Sequence, residues 1–274
     1  MKMNNTLWIK VFLMSWLVIS LGPLVEAGIF DYNLTYDEAG NMKQGFDQYL
    51  EYNNYNQLVR VRQNNANGTV LEEYSYDDQG ERIRKFEPLI NQTTYYISDN
   101  FIQVSNSTGN YTATYYFDGE TQIGRKDPDG KKSYYHPDHL GSTDTVTNES
   151  GHVVEETTYK PYGEIQSGGD SRFLYTSKEL DDTGLYYYGA RYYDPFFSHF
   201  IQPDQNIPDV YNSQDLNRYA YVRNNPYRYI DPTGDVPVDI ILDIGFIAYG
   251  IYSFAKDPSL GTFGELGLDI AFAA

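Results

Sequence analysis

Cysteine is absent from the 274 residues, so no disulfide can staple this chain and its stability has to come from burial. Positive charge is scarce as well. Twenty lysines and arginines stand against 38 aspartates and glutamates, a formal net charge of −18. Such a polyanion is repelled by nucleic acid phosphates and by anionic lipid, which removes both from the expected partners. Strongly apolar runs occur only near the two ends. The first is uncharged from Val11 to Val25, with Lys2 and Lys10 ahead of it and Val25-Glu26-Ala27 behind. It is shorter than the ~20 residues a spanning helix needs. A basic head, a short apolar centre and small residues at the cleavage positions describe a secretory signal over 1–27, cut after Ala27. An uncleaved anchor is the alternative. Cleavage would remove two lysines and one glutamate, leaving the remainder slightly more acidic. The expected destination is secretion or the cell surface, with no membrane contact beyond the signal.

What the chain has in quantity is tyrosine, 29 residues, together with 23 glycines. Few alanines accompany them, and that balance favours pleated, half-buried surfaces over helices. About 200 residues of such sequence can bury a sizeable core. Over 28–130 the sequence repeats loosely. Leu34-Thr35-Tyr36-Asp37-Glu38-Ala39-Gly40 recurs around Tyr52-Asn53-Asn54-Tyr55-Asn56 and again around Tyr76-Asp77-Asp78-Gln79-Gly80. Each unit is a tyrosine-rich strand, an Asp/Asn-Gly turn and a second strand such as Leu58-Val59-Arg60-Val61-Arg62. Asp or Asn bonds the backbone two residues on and glycine takes positive φ, so each unit predicts a hairpin. A period near twenty residues predicts stacking of units that cannot bury an apolar face alone. An unrelated sandwich of short strands is the competing fold.

A second series of motifs follows in fixed order: Asp138-His139-Leu140-Gly141-Ser142, Tyr162-Gly163-Glu164, Gly189-Ala190-Arg191-Tyr192-Tyr193-Asp194-Pro195, Asn217-Arg218-Tyr219-Ala220-Tyr221, Asn225-Pro226 and Asp231-Pro232-Thr233-Gly234. In this order the series resembles the RHS repeat-associated core domain, and the upstream hairpins resemble the tyrosine-aspartate (YD) repeat of the same family. The resemblance implies a mainly β fold, a curling antiparallel sheet of YD-type hairpins with an RHS core over 131–235. A helical segment over 236–274 would follow, similar to the pretoxin linker of polymorphic toxins. The apolar residues from Asp239 to Phe254, with Asp239 and Asp243 on one face, suit a helix better than a membrane span. Ala274 falls inside a second such helix, so the expectation is that either the gene is truncated or the effector is supplied elsewhere.

The family resemblance also implies chemistry. Its members cut themselves after an Asp-Pro-x-Gly-Leu turn, using aspartates as an aspartic protease does. Carried over, Asp204 is the essential aspartate, Arg191 positions it and Asp231 belongs to the final turn. Two close carboxylates can split the roles of base and acid because repulsion separates their pKa values. Asp235 stands where the family has leucine, and Ser198-His199-Phe200 replaces the usual Gly-Arg-Phe. The alternative is that Asp204 and Asp231 only initiate turns, with Arg191 as their counterion.

His136, Asp138 and His139 have the composition of a metal site, but the resemblance places that stretch in a turn. No metal and no cofactor are expected. The leading expectation is a structural shell that caps and presents its own C-terminal segment or a toxin cargo. The rivals are aspartyl autoproteolysis near Asp235, and recognition of a cell-surface glycan or partner by exposed tyrosines. An immunity protein is a further possible partner. Sequons at Asn33, Asn67, Asn91, Asn106, Asn110 and Asn148 would mark solvent-facing loops if used.

Overall fold

The computed structural model describes residues 34–45, 47–205, 211–235 and 237–239. The expected signal over 1–27, the sequon at Asn33 and the helical segment from residue 240 onward lie outside the described residues. Asp239, expected to open a helix, instead closes a short strand.

A single antiparallel meander of thirteen strands forms the wall, each strand hydrogen-bonded to its sequence neighbours. Its first half runs β1 (Thr35–Tyr36), β2 (Met42–Gly45), β3 (Gln48–Tyr52), β4 (Leu58–Gln63), β5 (Val70–Tyr76), β6 (Arg82–Glu87) and β7 (Gln92–Ser98). The second half is β8 (Phe101–Asn106), β9 (Gly109–Asp118), β10 (Thr121–Lys126), β11 (Lys132–Pro137), β12 (Thr143–Asn148) and β13 (Val153–Glu156). Pairing of β10 with β11 carries the wall across Lys131 without a break.

One turn recurs along it. In Asp37, Asn53, Asp77, Asp138 and Asn148 the side-chain Oδ1 accepts the backbone N–H groups two and four residues on. The fourth residue of the turn adopts positive φ, as Gly40 does at 88° and Asn56 at 61°. The Asx side chain thus satisfies donors the reversing backbone would leave open. Asp138 is one of these turn-formers, and the neighbouring His136 meets Thr147 Oγ1 across the sheet.

In the first three of these turns a tyrosine, Tyr36, Tyr52 or Tyr76, stands just before the Asx residue. Register shifts fall at Thr35/Tyr36, Glu51/Tyr52 and Ser75/Tyr76. A bulge re-aims the side chain and bends the strand, adding to the twist of the sheet. The redirected Tyr52 hydroxyl donates to the Met42 carbonyl at 2.8 Å, and Tyr76 donates to Leu58 at 2.5 Å. These two units therefore each latch onto the residue just past the turn of the unit before.

After β13 the chain leaves the wall and folds against it. Four small strands form a second sheet, β16 (Glu179–Leu180), β17 (Tyr186–Tyr187), β18 (Tyr192–Asp194) and β19 (His199–Phe200), preceded by the two-stranded pair β14 (Thr158–Tyr159) and β15 (Ile165–Ser167). Leu185, Tyr192 and Ile201 from this plug share one buried cluster with Met42, Leu50, Leu58, Val61 and Tyr74 of the wall. A second cluster, around Tyr175, Tyr186, Tyr188, Tyr193, Phe200 and Tyr221, is the plug's own core. Fully burying such rings stabilises by roughly 1.5–3 kcal/mol each. The final pair, β20 (Tyr229–Ile230) and β21 (Val238–Asp239), flanks the last acidic turn.

Candidate functional site

Arg191 sits on the turn between β17 and β18, where Tyr188 N–H donates to the Arg191 carbonyl at 3.0 Å. Its side chain is buried, with the guanidinium carbon 3.8 Å from the centre of the Phe200 ring. A stacked guanidinium keeps all its in-plane donors free for polar partners. Nη2 lies 3.1 Å from Asp204 Oδ2 and 3.6 Å from Asp231 Oδ2. Nη1 donates to the Arg218 carbonyl at 3.1 Å, and Nε donates to the Gly234 carbonyl. The three residues singled out in the sequence, Arg191, Asp204 and Asp231, are thus brought together, with Arg191 at the centre.

Asp204 is held by its backbone. Its N–H donates to the Arg218 carbonyl at 2.8 Å, while Arg218 Nε donates back to the Asp204 carbonyl at 2.6 Å. Asp231 follows β20 and caps the turn that carries it. Its Oδ1 accepts from Gly234 N–H at 2.8 Å and Asp235 N–H at 3.1 Å, leaving Oδ2 toward Arg191. Gly234 has a φ of 82°, and a Cβ there would stand 3.0 Å from the Tyr188 carbonyl oxygen and 3.2 Å from Arg191 N. Only glycine lets the turn approach the plug this closely.

Burial dominates the electrostatics. It pushes the Asp231 carboxyl up, against the opposing pull of Arg191 and the Gly234 amide. Asp235, partly buried, is also pushed up by desolvation, with Arg191 opposing and Asp204 adding to the rise. The Arg191 guanidinium is drawn down by burial although all three aspartates favour its charge. A cavity of about 30 Å³ opens beside Arg191, Asp204, Asp231 and Asp235. That is room for a water molecule, which needs at least ~10–15 Å³ on the same measure.

Sequence reasoning did not single out the groups that grip the turn's backbone. Lys178 Nζ donates to the Pro232 carbonyl at 2.6 Å, and Ala190 N–H donates to Thr233 O at 3.0 Å. Arg218 was legible only as part of a motif. Nor did the sequence signal a second, larger polar site between wall and plug. There Arg82 of β6 binds Glu179 at 2.8 Å and Asp181, and Lys85 binds Asp181 at 2.8 Å. Tyr74, Tyr96, Tyr187 and Tyr192 surround the Arg82 guanidinium. Burial alone would raise the Glu179 carboxyl, but Lys85, Arg172 and Arg82 reverse the sign and hold it well below the usual range. Nearby Glu72 makes no ion-pair contact, and burial followed by Asp181 pushes it up to about 8, with Lys85, the Tyr74 hydroxyl and Arg82 only partly opposing the rise.

Of the tyrosines that a glycan-stacking surface would need, Tyr36, Tyr55, Tyr95, Tyr111, Tyr116, Tyr134, Tyr211 and Tyr227 are exposed among the described residues. No helix among the described residues is long and apolar enough to cross a membrane.

The family model described as Teneurin YD-shell matches residues 24–227. Among curated proteins, the chain is 28% identical over 233 residues to the tRNA nuclease WapA of Bacillus subtilis strain 168, covering 81% of this chain and 10% of that protein. It is 30% identical over 248 residues to Salivary gland surface protein 1 of Aedes aegypti, covering 80% and 7%. Teneurin-1 of Gallus gallus is 28% identical over 234 residues, covering 79% and 8%. Among solved structures, the Photorhabdus luminescens Tc holotoxin pore superposes with a TM-score of 0.62 at 26% identity, covering 74% of this chain and 11% of that one. The chain therefore spans about a tenth of the length of these relatives. With a thirteen-stranded YD wall, the plug folded on it and a match over most of its length, the chain belongs to the Teneurin YD-shell family, an RHS/YD-repeat shell.

Proposed function

We propose that this chain is the closing segment of a secreted or surface-displayed shell, and that its core region grips the backbone leading into the C-terminal segment. The observation that carries this reading is the set of contacts on residues 231–235. Arg191 holds the Gly234 carbonyl, Lys178 the Pro232 carbonyl and Ala190 the Thr233 carbonyl, all from the plug. A turn with its carbonyls held this way is anchored independently of side-chain identity. The relative named as a salivary gland surface protein and the likeness to the Tc holotoxin pore support a place outside the cell and a toxin cargo as the held partner. Limited proteolysis with mass mapping tests it. The wild type should resist cleavage up to Asp235, and Arg191→Lys combined with Lys178→Ala should open the 231–235 turn. Unchanged protection in that double variant would remove the grip.

A second reading, aspartyl autoproteolysis near Asp235, is favoured by the cavity shared by Arg191, Asp204, Asp231 and Asp235. Asp204, paired with Arg191, would take a proton from water as its oxygen attacks the scissile carbonyl. Asp231, whose burial favours the protonated form, would donate to the leaving amine as the C–N bond breaks. Intact-mass measurement decides between the readings. Two fragments meeting near Asp235, lost in Asp204→Asn, are expected for the enzyme; a single full-mass species leaves only the shell.

A further inference from the structure

The joint between wall and plug carries more negative than positive charge. Register pairs Tyr74 with Lys85 and Glu73 with Phe86, so the next step along β5 and β6 sets Glu72 opposite Glu87. Like charges placed directly across a ladder destabilise it, and here both residues are buried, at 1% and 6% exposure. Asp182, on the exposed turn after β16, brings a third carboxylate, and one oxygen from each of the three lies within 4.8 Å of the others. That spacing is twice a Ca²⁺–oxygen bond of roughly 2.4 Å, the widest separation that ligands of one ion can have.

Neutralisation by the protein is incomplete. Five carboxylates, Glu72, Glu87, Glu179, Asp181 and Asp182, share the joint with three cations, Arg82, Lys85 and Arg172. The surplus is two negative charges when all are ionised. The ion-pair contacts of the three cations are to Glu179 and Asp181. Glu72 Oε2 accepts from the Tyr74 hydroxyl and Glu87 Oε2 from Gln92 Nε2 at 3.0 Å. Glu72 Oε1, however, is buried with no hydrogen-bond partner. An orphaned carboxylate oxygen nine-tenths or more buried needs an explanation, and an ion is one of the few that supplies both charge and a bond. Access exists, since Glu87 and Asp182 also line an open cavity of about 580 Å³ between β6–β10 and the plug.

We propose that Glu72, Glu87 and Asp182 form a site for a hard divalent cation, with Ca²⁺ the best fit, that ties the wall to the plug. Three carboxylate donors on flexible arms, with water from the cavity completing the shell, suit an ion that takes 6–8 oxygens in loose geometry. The expectation from sequence was that no metal site exists. The cluster escaped notice because its three members lie on three elements and share no spacing motif.

The test uses the full chain, stripped with EDTA and then titrated with CaCl₂, MgCl₂ or MnCl₂ by calorimetry and by thermal melting. At a cation concentration a hundred times Kd, the Tm should rise by about 5–10 °C. Asp182→Asn, exposed and outside the core, should fold as the wild type does, weaken binding at least tenfold and lose the Tm rise. Glu72→Gln should do the same. No heat and no Tm rise with any of the three cations would overturn the site. So would Asp182→Asn binding as tightly as the wild type. A Glu72→Gln chain that melts higher than the wild type while neither binds a cation would show that a proton, not a metal, quiets Glu72.

Discussion

Arg82 Nη2 meets Glu179 Oε2 at 2.8 Å, joining two residues 97 positions apart in a contact from which solvent is almost excluded. Its energetic meaning depends on what is removed. Replacing one partner strands the other, which costs about 3–5 kcal/mol, whereas replacing both by apolar groups can be nearly neutral. Arg82→Met should therefore lower the free energy of unfolding by about 3–5 kcal/mol in urea titrations. Because Glu179 and Asp181 also lean on Lys85 and Arg172, Glu179→Gln should recover part of that loss in the Arg82→Met background. A double variant no better than the single one would mean that Arg82 acts through tyrosine packing alone.

The depressed Glu179 sets the acid limb of stability. Its folded-state pKa lies below the unfolded value, so its contribution is fully present above about pH 4.3 and is lost as pH falls toward the folded value. Melting temperatures measured between pH 5 and 3 should fall for the wild type and fall less steeply for Glu179→Gln.

Asp231 has the opposite sign. Burial raises its folded-state pKa, so its ionised form opposes folding as pH rises through that value. Asp231→Asn keeps an oxygen for the Gly234 and Asp235 amides while dropping the charge. The variant should match or exceed the wild type at pH 7, by up to about 1 kcal/mol, and any self-cleavage should vanish. A measurable loss of stability at pH 7 would instead assign the Asp231 charge a structural role through Arg191.

Gly234→Ala forces a side chain into a positive-φ position facing the Tyr188 carbonyl. A cost of about 1–3 kcal/mol is expected, with early proteolysis at the 231–235 turn. Wild-type stability would mean the turn does not approach the plug closely.

The turns and the Arg191 site were legible in the sequence because their chemistry is local or fixed in motif order. Asp77 bonds amides two and four residues away, and the side chain that does so can be named before any fold is known. Arg191, Asp204 and Asp231 were found by motif resemblance, and the fold brings them to one guanidinium nitrogen. The Arg82 joint was not legible. Glu81-Arg82-Ile83-Arg84-Lys85 reads as a solvated, alternating strand, and nothing nearby announces that Tyr187, Tyr192, Glu179 and Asp181 will close over it. Burial of a charge is decided by residues a hundred positions downstream, where one-dimensional patterning carries no signal.

The tyrosine latches have a consequence for evolution by duplication. Tyr52 and Tyr76 each bind a backbone carbonyl, which every residue type supplies, so a copied hairpin brings its own fastening and asks nothing of its neighbour's side chains. A wall built this way can lengthen or shorten by whole units without any change to the fastening between them.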